Sequence, residues 1–318
     1  MRRWLPFGAK AAVSIGLLVF IADKIDLQRI LLILGGTSWA FFFLAFLVIA
    51  IQAFMAVERW RQVLVHQKIQ LSFFSLARFF WFGLFFNQVM PSSIGGDAVR
   101  AYCLVRNGCT LVTASVTVLL DRMLGVMGVV LLVVVCFPFS FSLIANEAMR
   151  WGIILVVILA LSAVAGVLFL DQMTAGIRRW RIARGMGTLS RDAKDLLLSS
   201  SLGGRLVLLS VAVQIMSVLA LAILALAIRF EVNWIVLLIV LPLATLLMTI
   251  PISIAGWGVR EGVMVVGLGF AGADTEQAAA LSILFGLLVL AIALPGGMFW
   301  LAGIRPQEKM AEKVSETR

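Results

Sequence analysis

Apolar residues in this chain neither alternate nor keep to one helical stripe; they come in long blocks parted by short polar stretches. The blocks cover residues 7–22, 39–57, 73–90, 110–137, 151–170, 206–228, 234–250, 259–270 and 278–301. A helix of roughly 20 apolar residues crosses the hydrocarbon of a bilayer. With no water there to satisfy the backbone, a spanning segment must be helical or part of a closed barrel. Blocks of this length without two-residue alternation predict helices, and so an all-α polytopic membrane protein. Two blocks are interrupted in the same way. After 73–90 the chain runs Pro91-Ser92-Ser93-Ile94-Gly95-Gly96-Asp97-Ala98-Val99-Arg100. After 234–250 it runs Pro251-Ile252-Ser253-Ile254-Ala255-Gly256-Trp257-Gly258-Val259-Arg260. Pro, Ser, Ile, Gly, Val and Arg recur in the same places, 160 residues apart. Broken backbone at membrane depth is tolerated only where protein or a water-filled cavity shields it. Paired interruptions in two halves are the best sequence pointer to a transporter's binding site. Asp97 is placed as the N-cap of a helix over 98–106, because its carboxylate accepts the free N–H groups of a first turn.

Charge orients the blocks. Suppose the N-terminus is cytoplasmic and each break is the tip of a re-entrant hairpin. Spans 7–22 and 39–57 then return the chain to the cytoplasm at the basic segment 58–68, with Trp60 at the interface where aromatics belong. The first hairpin enters and leaves on that side, 110–137 crosses outward and 151–170 returns, so the most basic loop, 178–205, is inside. Residues 206–228 lead out, the second hairpin enters from outside, and 278–301 brings the tail back in. The expectation is about six full transmembrane helices plus two re-entrant helical hairpins, in one membrane domain over 1–304 with a cytoplasmic tail over 305–318. Repeat one covers about 7–137 and repeat two about 151–301. Three crossings per half invert the second repeat relative to the first. Eight full transmembrane helices are the alternative, which puts either 100–110 or 178–205 outside, against the positive-inside rule. The stretch 7–22 is expected as a retained helix, since no convincing small-x-small cleavage site follows it.

Composition excludes a soluble core: 62% of residues are hydrophobic and 13% charged, against about a quarter charged in soluble domains. The net charge of +10 does not point to nucleic acid, because its basic residues sit between apolar blocks; that placement suits anionic lipid headgroups. Cys103, Cys109 and Cys136 have no C-x-x-C spacing and His66 stands alone, so neither a disulfide framework, a metal nor a cofactor is expected. Gly267 to Gly272 fit G-x-G-x-x-G without a βαβ context; close helix approach explains these small residues better. Ionisable residues at membrane depth carry the functional signal: Arg78, Asp97, Arg100, Asp121, Arg122, Arg260 and Glu261. Arg78 is expected to snorkel to the headgroups. Asp97 and Arg100 are three apart and can pair on one helix face, while adjacent Asp121 and Arg122 point apart and each need a partner. The planar fork of arginine matches two phosphate oxygens at once.

Four stretches together resemble a known family: Arg59-Trp60, the run from Phe86 to Arg100 containing Asn87, Gln88 and Ser-Ile-Gly-Gly-Asp, the Leu-Leu-Asp-Arg-Met-Leu-Gly of 119–125, and the Pro-Ile-Ser run from Pro251 to Glu261. They are similar to the flippase-like membrane domain of lysylphosphatidylglycerol synthase, the multiple peptide resistance factor, in a stand-alone form without the soluble synthase domain. The resemblance implies a multi-pass protein of the cell inner (plasma) membrane that moves or handles lipids, and the reading expected is translocation of an anionic or lipid-linked headgroup; the charge pattern places both termini in the cytoplasm. It does not carry over the aminoacyl-transfer activity. The expected substrate-binding set is Asn87, Gln88, Ser93, Gly95, Gly96, Asp97, Arg100, Asp121, Arg122, Ser253, Gly256, Arg260 and Glu261, with no catalytic residue and no metal ligand. Expected partners are membrane lipids with anionic headgroups, a second copy of the chain or an envelope-synthesis protein, and no nucleic acid. Two other classes compete: an accessory protein for envelope lipid synthesis, which would tolerate substitution of Arg100 and Arg260, and a membrane transferase, which would want a carboxylate or metal cluster in a sizeable loop.

Overall fold

A computed structural model describes residues 16, 26–90, 95–141, 146–173, 181–198, 201–250, 253 and 255–302. Most of the expected span 7–22, Ser93 and the tail 305–318 lie outside the described residues. Among those described there is no strand, and eleven helices follow one another: α1 (Leu27–Gly35), α2 (Trp39–His66), α3 (Phe73–Val89), α4 (Gly95–Arg106), α5 (Leu111–Ser140), α6 (Glu147–Met173), α7 (Arg181–Leu198), α8 (Leu202–Ala227), α9 (Trp234–Thr249), α10 (Val259–Gly269) and α11 (Thr275–Leu301). Of these, α2, α5, α6, α8 and α11 are 5 helices long and apolar enough to cross a membrane. The protein is an all-α polytopic membrane protein.

The side on which each helix begins follows from its contacts. The Ser38 N–H donates to the Ala227 carbonyl at 2.9 Å, so the start of α2 and the end of α8 share one end of the bundle. Arg29 binds Asp274 at 2.9 Å and so brings the start of α11 to that same end. At the opposite end Val63 packs with Val116, Leu196 and Leu206, which gathers the end of α2, the starts of α5 and α8, and α7. The hairpin α3–α4 therefore begins beside His66 and finishes beside Leu111, at one end. The hairpin α9–α10 begins beside Ala227 and finishes beside Thr275, at the other. Two helical hairpins enter from opposite ends, as the inverted-repeat reading requires, and the eight-span alternative is set aside.

Spacing between the halves is nearly constant, 161 to 164 residues. Helices starting at residues 39, 73, 95 and 111 have counterparts starting at 202, 234, 259 and 275. Partners are exchanged across the pseudo-two-fold: α3 lies on α11 and α9 on α5, with α2 and α8 crossing at the centre. Leu221, Leu224, Leu237, Leu281 and Leu288 are buried in the core that joins the halves.

Three expectations are corrected. The helix begun at Trp39 does not stop at 57 but continues to His66, so 58–66 is helix rather than loop. Trp60 is fully buried instead of interfacial, since Ala53, Val57, Trp60 and Leu64 keep the helical spacing and face the interior together. The basic loop contains an amphipathic helix, α7, whose Ala193 and Leu196 pack on the bundle.

Candidate functional site

The break at residue 90 ends α3 and lets α4 run back along it. The arms touch backbone to backbone: a Cβ on Gly96 would stand 2.0 Å from the Gly83 carbonyl oxygen, so only glycine fits there. The Gly96 N–H donates to Asn87 Oδ1 at 2.9 Å. Asn87, reaching across from α3, thus satisfies the start of α4, the role expected of Asp97. The helix begins at Gly95, two residues before Asp97, which leaves that carboxylate in the first turn and free to bind elsewhere.

It binds Arg122. From there an alternation of charges runs through three helices. Asp97 of α4 accepts from Arg122 of α5, and its Oδ1 lies 3.7 Å from Arg100 Nη1. Arg100 Nη2 donates to Asp121 Oδ2 at 2.8 Å. Asp121 Oδ1 in turn accepts from Arg59 Nε of α2 at 2.8 Å, and Arg59 Nη1 reaches Ser210 Oγ of α8 at 3.4 Å. The Asp121 and Arg100 side chains are only 3% and 7% exposed, so no bulk water screens this contact. The Trp60 ring lies 4.0 Å below the Arg100 guanidinium, a cation–π contact in the interior. Charges buried to this degree are stable only when paired and hydrogen-bonded. The relay supplies that pairing for Asp121, Arg59 and Arg100 together.

The second hairpin is built differently. Its restart comes one helical turn later in the motif, after a turn at 255–258 with Gly256 at φ 80°. Glu261 Oε2 accepts from the Gly258 N–H at 2.7 Å, which caps α10. Its Oε1 accepts from Arg260 Nε at 3.1 Å, with Ser282 Oγ of α11 at 3.4 Å. Trp257 stacks 4.7 Å from the Arg260 guanidinium. A Cβ on Gly286 would meet an Arg260 nitrogen at 2.1 Å, so that glycine makes room for the charge. Arg260 and Glu261 form a closed, balanced pair.

A cavity of about 610 Å³ opens beside the relay, between α4, α5, α8 and α9. Asp97 and Arg122 supply its charged end, Gln214, Thr245 and Thr249 further polar groups, and Val118, Val126, Val129 and Leu246 an apolar wall. Thr249 ends the first arm of the second hairpin and Asp97 begins the return arm of the first, so both hairpins border the cavity. One end of the cavity is charged and the wall beyond it is largely apolar.

Of the residues expected to bind substrate, Asp97 and Arg122 line this cavity. Arg100 and Asp121 lie one step behind them in the relay. Gly95, Gly96 and Asn87 form the hairpin seam, and Gln88 on the same arm is half-buried. Ser253, Arg260 and Glu261 are buried in the second hairpin, away from the cavity wall. Ser93 lies outside the described residues. Arg59 and Trp60, named for the family resemblance but not in the expected binding set, and Gln214 join the site here. The signal for the first two was the buried spacing of Ala53, Val57, Trp60 and Leu64, which extends α2 through them. For Gln214, a lone amide inside a 26-residue apolar helix was the available sign. No group of three or more metal-ligating side chains occurs among the described residues.

Comparison with known proteins agrees with this architecture. The chain is 24% identical over 165 residues to the UPF0104 membrane protein PH1989 of Pyrococcus horikoshii, an alignment covering 51% of this chain and 47% of that protein. The chain thus aligns with about half the length of that relative. The family model for the lysylphosphatidylglycerol synthase TM region matches residues 8–297. With nearly all of its described helices inside that match, the chain belongs to the family of the lysylphosphatidylglycerol synthase transmembrane region.

Proposed function

We propose that this protein moves lipids with anionic headgroups across the inner membrane, through the cavity shared by its two hairpins. The observation that carries the reading is the Asp97–Arg122 pair at the charged end of a cavity whose remaining wall is largely apolar. Arg122 takes the headgroup's oxygens; Asp97 holds the guanidinium while the site is vacant. Arg100, Asp121 and Arg59 fix the position of Asp97 from behind. Asn87, Gly95 and Gly96 hold the return arm against the first. Thr245, Leu246 and Thr249 of the second hairpin form the opposite wall, and its Ser253, Gly256, Arg260 and Glu261 lie off that wall, where the closed ion pair holds the hairpin together.

The domain limits, repeats and orientation given by the sequence complete the proposal: one membrane domain, both termini cytoplasmic. Lys68, Arg106, Arg191, Lys194 and Arg205 gather at the end of the bundle that holds His66. Glu147, Glu231, Asp274 and Glu276 lie at the other together with Arg29, Arg150 and Arg229, so the basic excess is on the His66 side. The positive-inside rule makes the His66 end cytoplasmic. The test is reconstitution into vesicles carrying fluorescent lipids of different headgroups. Faster transbilayer movement of anionic lipid than in protein-free vesicles is expected; equal rates with a folded protein refute the reading.

A further inference from the structure

We propose that Trp257 plugs the symmetry mate of the open cavity from the outer side, and that the two cavities open in turn. The inference rests on the translocation reading above. Because the halves repeat, the mate of each residue lining the cavity is fixed. The 160-residue echo pairs Asp97 with Trp257. The 164 residues between the starts of α5 and α11 pair Arg122 with Gly286, and Ser115 with Ala279. These mates meet in the structure, as Asp97 and Arg122 do: Trp257 Cη2 lies 2.9 Å from where a Cβ on Gly286 would stand. One offset comes from the breaks and the other from the helices behind them, so their agreement on one contact supports the symmetry independently. Only the chemistry differs. In the first half the pair is charged and borders an open cavity. In the second an indole is seated on a buried glycine.

The open cavity runs from the breaks toward the His66 end: Asp97 and Thr249 border it at the breaks, and Ser115 one turn inside α5. Its mate leads from the Trp257 turn toward the Thr275 end, where Ala279 is only 3% exposed. A ring packed on glycine leaves no polar path, and a charged headgroup does not cross such a seal. The Arg260 guanidinium lies behind it, 4.7 Å from the centre of the Trp257 ring. The turn that carries the plug is suited to rearrangement. Ala255, Gly256 and Gly258 have φ of 51°, 80° and 87°. Ala255 holds a left-handed backbone without being glycine, and residues so strained cluster at switch regions. The glycines on either side of Trp257 give it backbone freedom that other residues lack. Transporters built from inverted repeats expose their site to one side at a time by moving one repeat against the other. Here that movement lifts Trp257 from Gly286, opening the outer cavity as the inner one closes.

Cysteine accessibility tests this without any transport step. In a background free of native cysteines, Ser115→Cys reports on the open cavity and Ala279→Cys on its plugged mate. Membrane vesicles of known orientation are treated with an impermeant maleimide from one side or the other. With Trp257 in place, position 115 is expected to label from the cytoplasmic side and position 279 to be protected from outside. Trp257→Ala is expected to speed labelling of 279 from outside at least about tenfold, and to slow labelling of 115 from inside at least about twofold, since the two states share one population. Trp257→Phe keeps a ring on the glycine and is expected to restore the native pattern. Gly286→Ala puts a methyl group where the ring edge sits and is expected to act like Trp257→Ala; it carries the test if Trp257→Ala does not fold. Protection of 279 in both variants overturns the plug. Faster labelling of 279 with no slowing at 115 reduces Trp257 to packing and overturns the alternation. Lipid movement in vesicles without this reciprocal labelling would refute the inference alone; reciprocal labelling without lipid movement would refute the translocation reading alone.

Discussion

Asp121 is the place to break the relay, and the size of the effect follows from its geometry. Replacing it with Asn keeps its shape and removes the charge that Arg59 and Arg100 share, each at 2.8 Å from one of its oxygens. Charges about 4 Å apart attract by about 4 kcal/mol at an effective dielectric of about 20. The two attractions are not additive, because Arg59 and Arg100 repel each other across the carboxylate. Removing one partner of a buried pair costs about 3–5 kcal/mol, chiefly the desolvation of the charge left behind. Against a total stability of about 5–15 kcal/mol, that is a large fraction. Thermal unfolding in a fixed detergent, followed by helical circular dichroism, should show a substantially lowered Tm for Asp121→Asn. The double variant Arg59→Met with Asp121→Leu removes one charge of each sign and leaves Arg100 beside Asp97, 3.7 Å away. It should recover at least half of the loss. An Asn variant within about 0.5 kcal/mol of the native protein, or a double variant less stable than the single, would refute the idea of a shared buried counter-charge.

Other consequences are simpler to read. Gly96→Ala places a Cβ 2.0 Å from the Gly83 carbonyl and should cost about 1–3 kcal/mol by overpacking the first hairpin; Gly152→Ala, with nothing within 4 Å, should be neutral in the same unfolding assay. Trp81→Phe removes the 3.0 Å hydrogen bond from the indole N–H to the Ile292 carbonyl, three residues before Pro295 of α11, and should lower stability by about 1 kcal/mol. In a background without native cysteines, engineered cysteines at Gln67 and Asn107 should be labelled from one side of the membrane and those at Arg229 and Gly272 from the other. Labelling of 67 and 107 from opposite sides would make the first hairpin a full crossing.

Much of the fold was legible because membrane helices announce themselves by length. The ends of the long apolar blocks fall within a few residues of the helices α5, α8 and α11. The 160-residue echo between Pro91–Arg100 and Pro251–Arg260 located both hairpins. What the echo concealed is that the two breaks do different work. Matching Arg100 to Arg260 by motif suggested equal roles. In three dimensions α10 restarts one turn later than α4, so Glu261 caps a helix and closes on Arg260, while Asp97 faces a cavity. A carboxylate near a helix start looks the same in sequence whether it caps or pairs across helices. Asn87 decided the matter by taking the cap, from a neighbouring arm that only folding brings near. Arg59 was noticed only as part of a family motif, and its place in the relay was missed because a charged cluster after an apolar run resembles a loop; its partner is Asp121, 62 residues later.

The central claim is that lipid passes through the cavity between the hairpins, and filling that cavity tests it most directly. Ala98 borders the cavity with an exposed side chain and belongs to no charge pair, so Ala98→Trp fills the space without touching the relay. Transbilayer movement of a fluorescent anionic phospholipid is measured in vesicles holding equal amounts of native or Ala98→Trp protein, each with its Tm recorded. The account predicts a rate lowered at least about tenfold by a variant whose Tm is unchanged. Movement at the native rate through the filled cavity would contradict it.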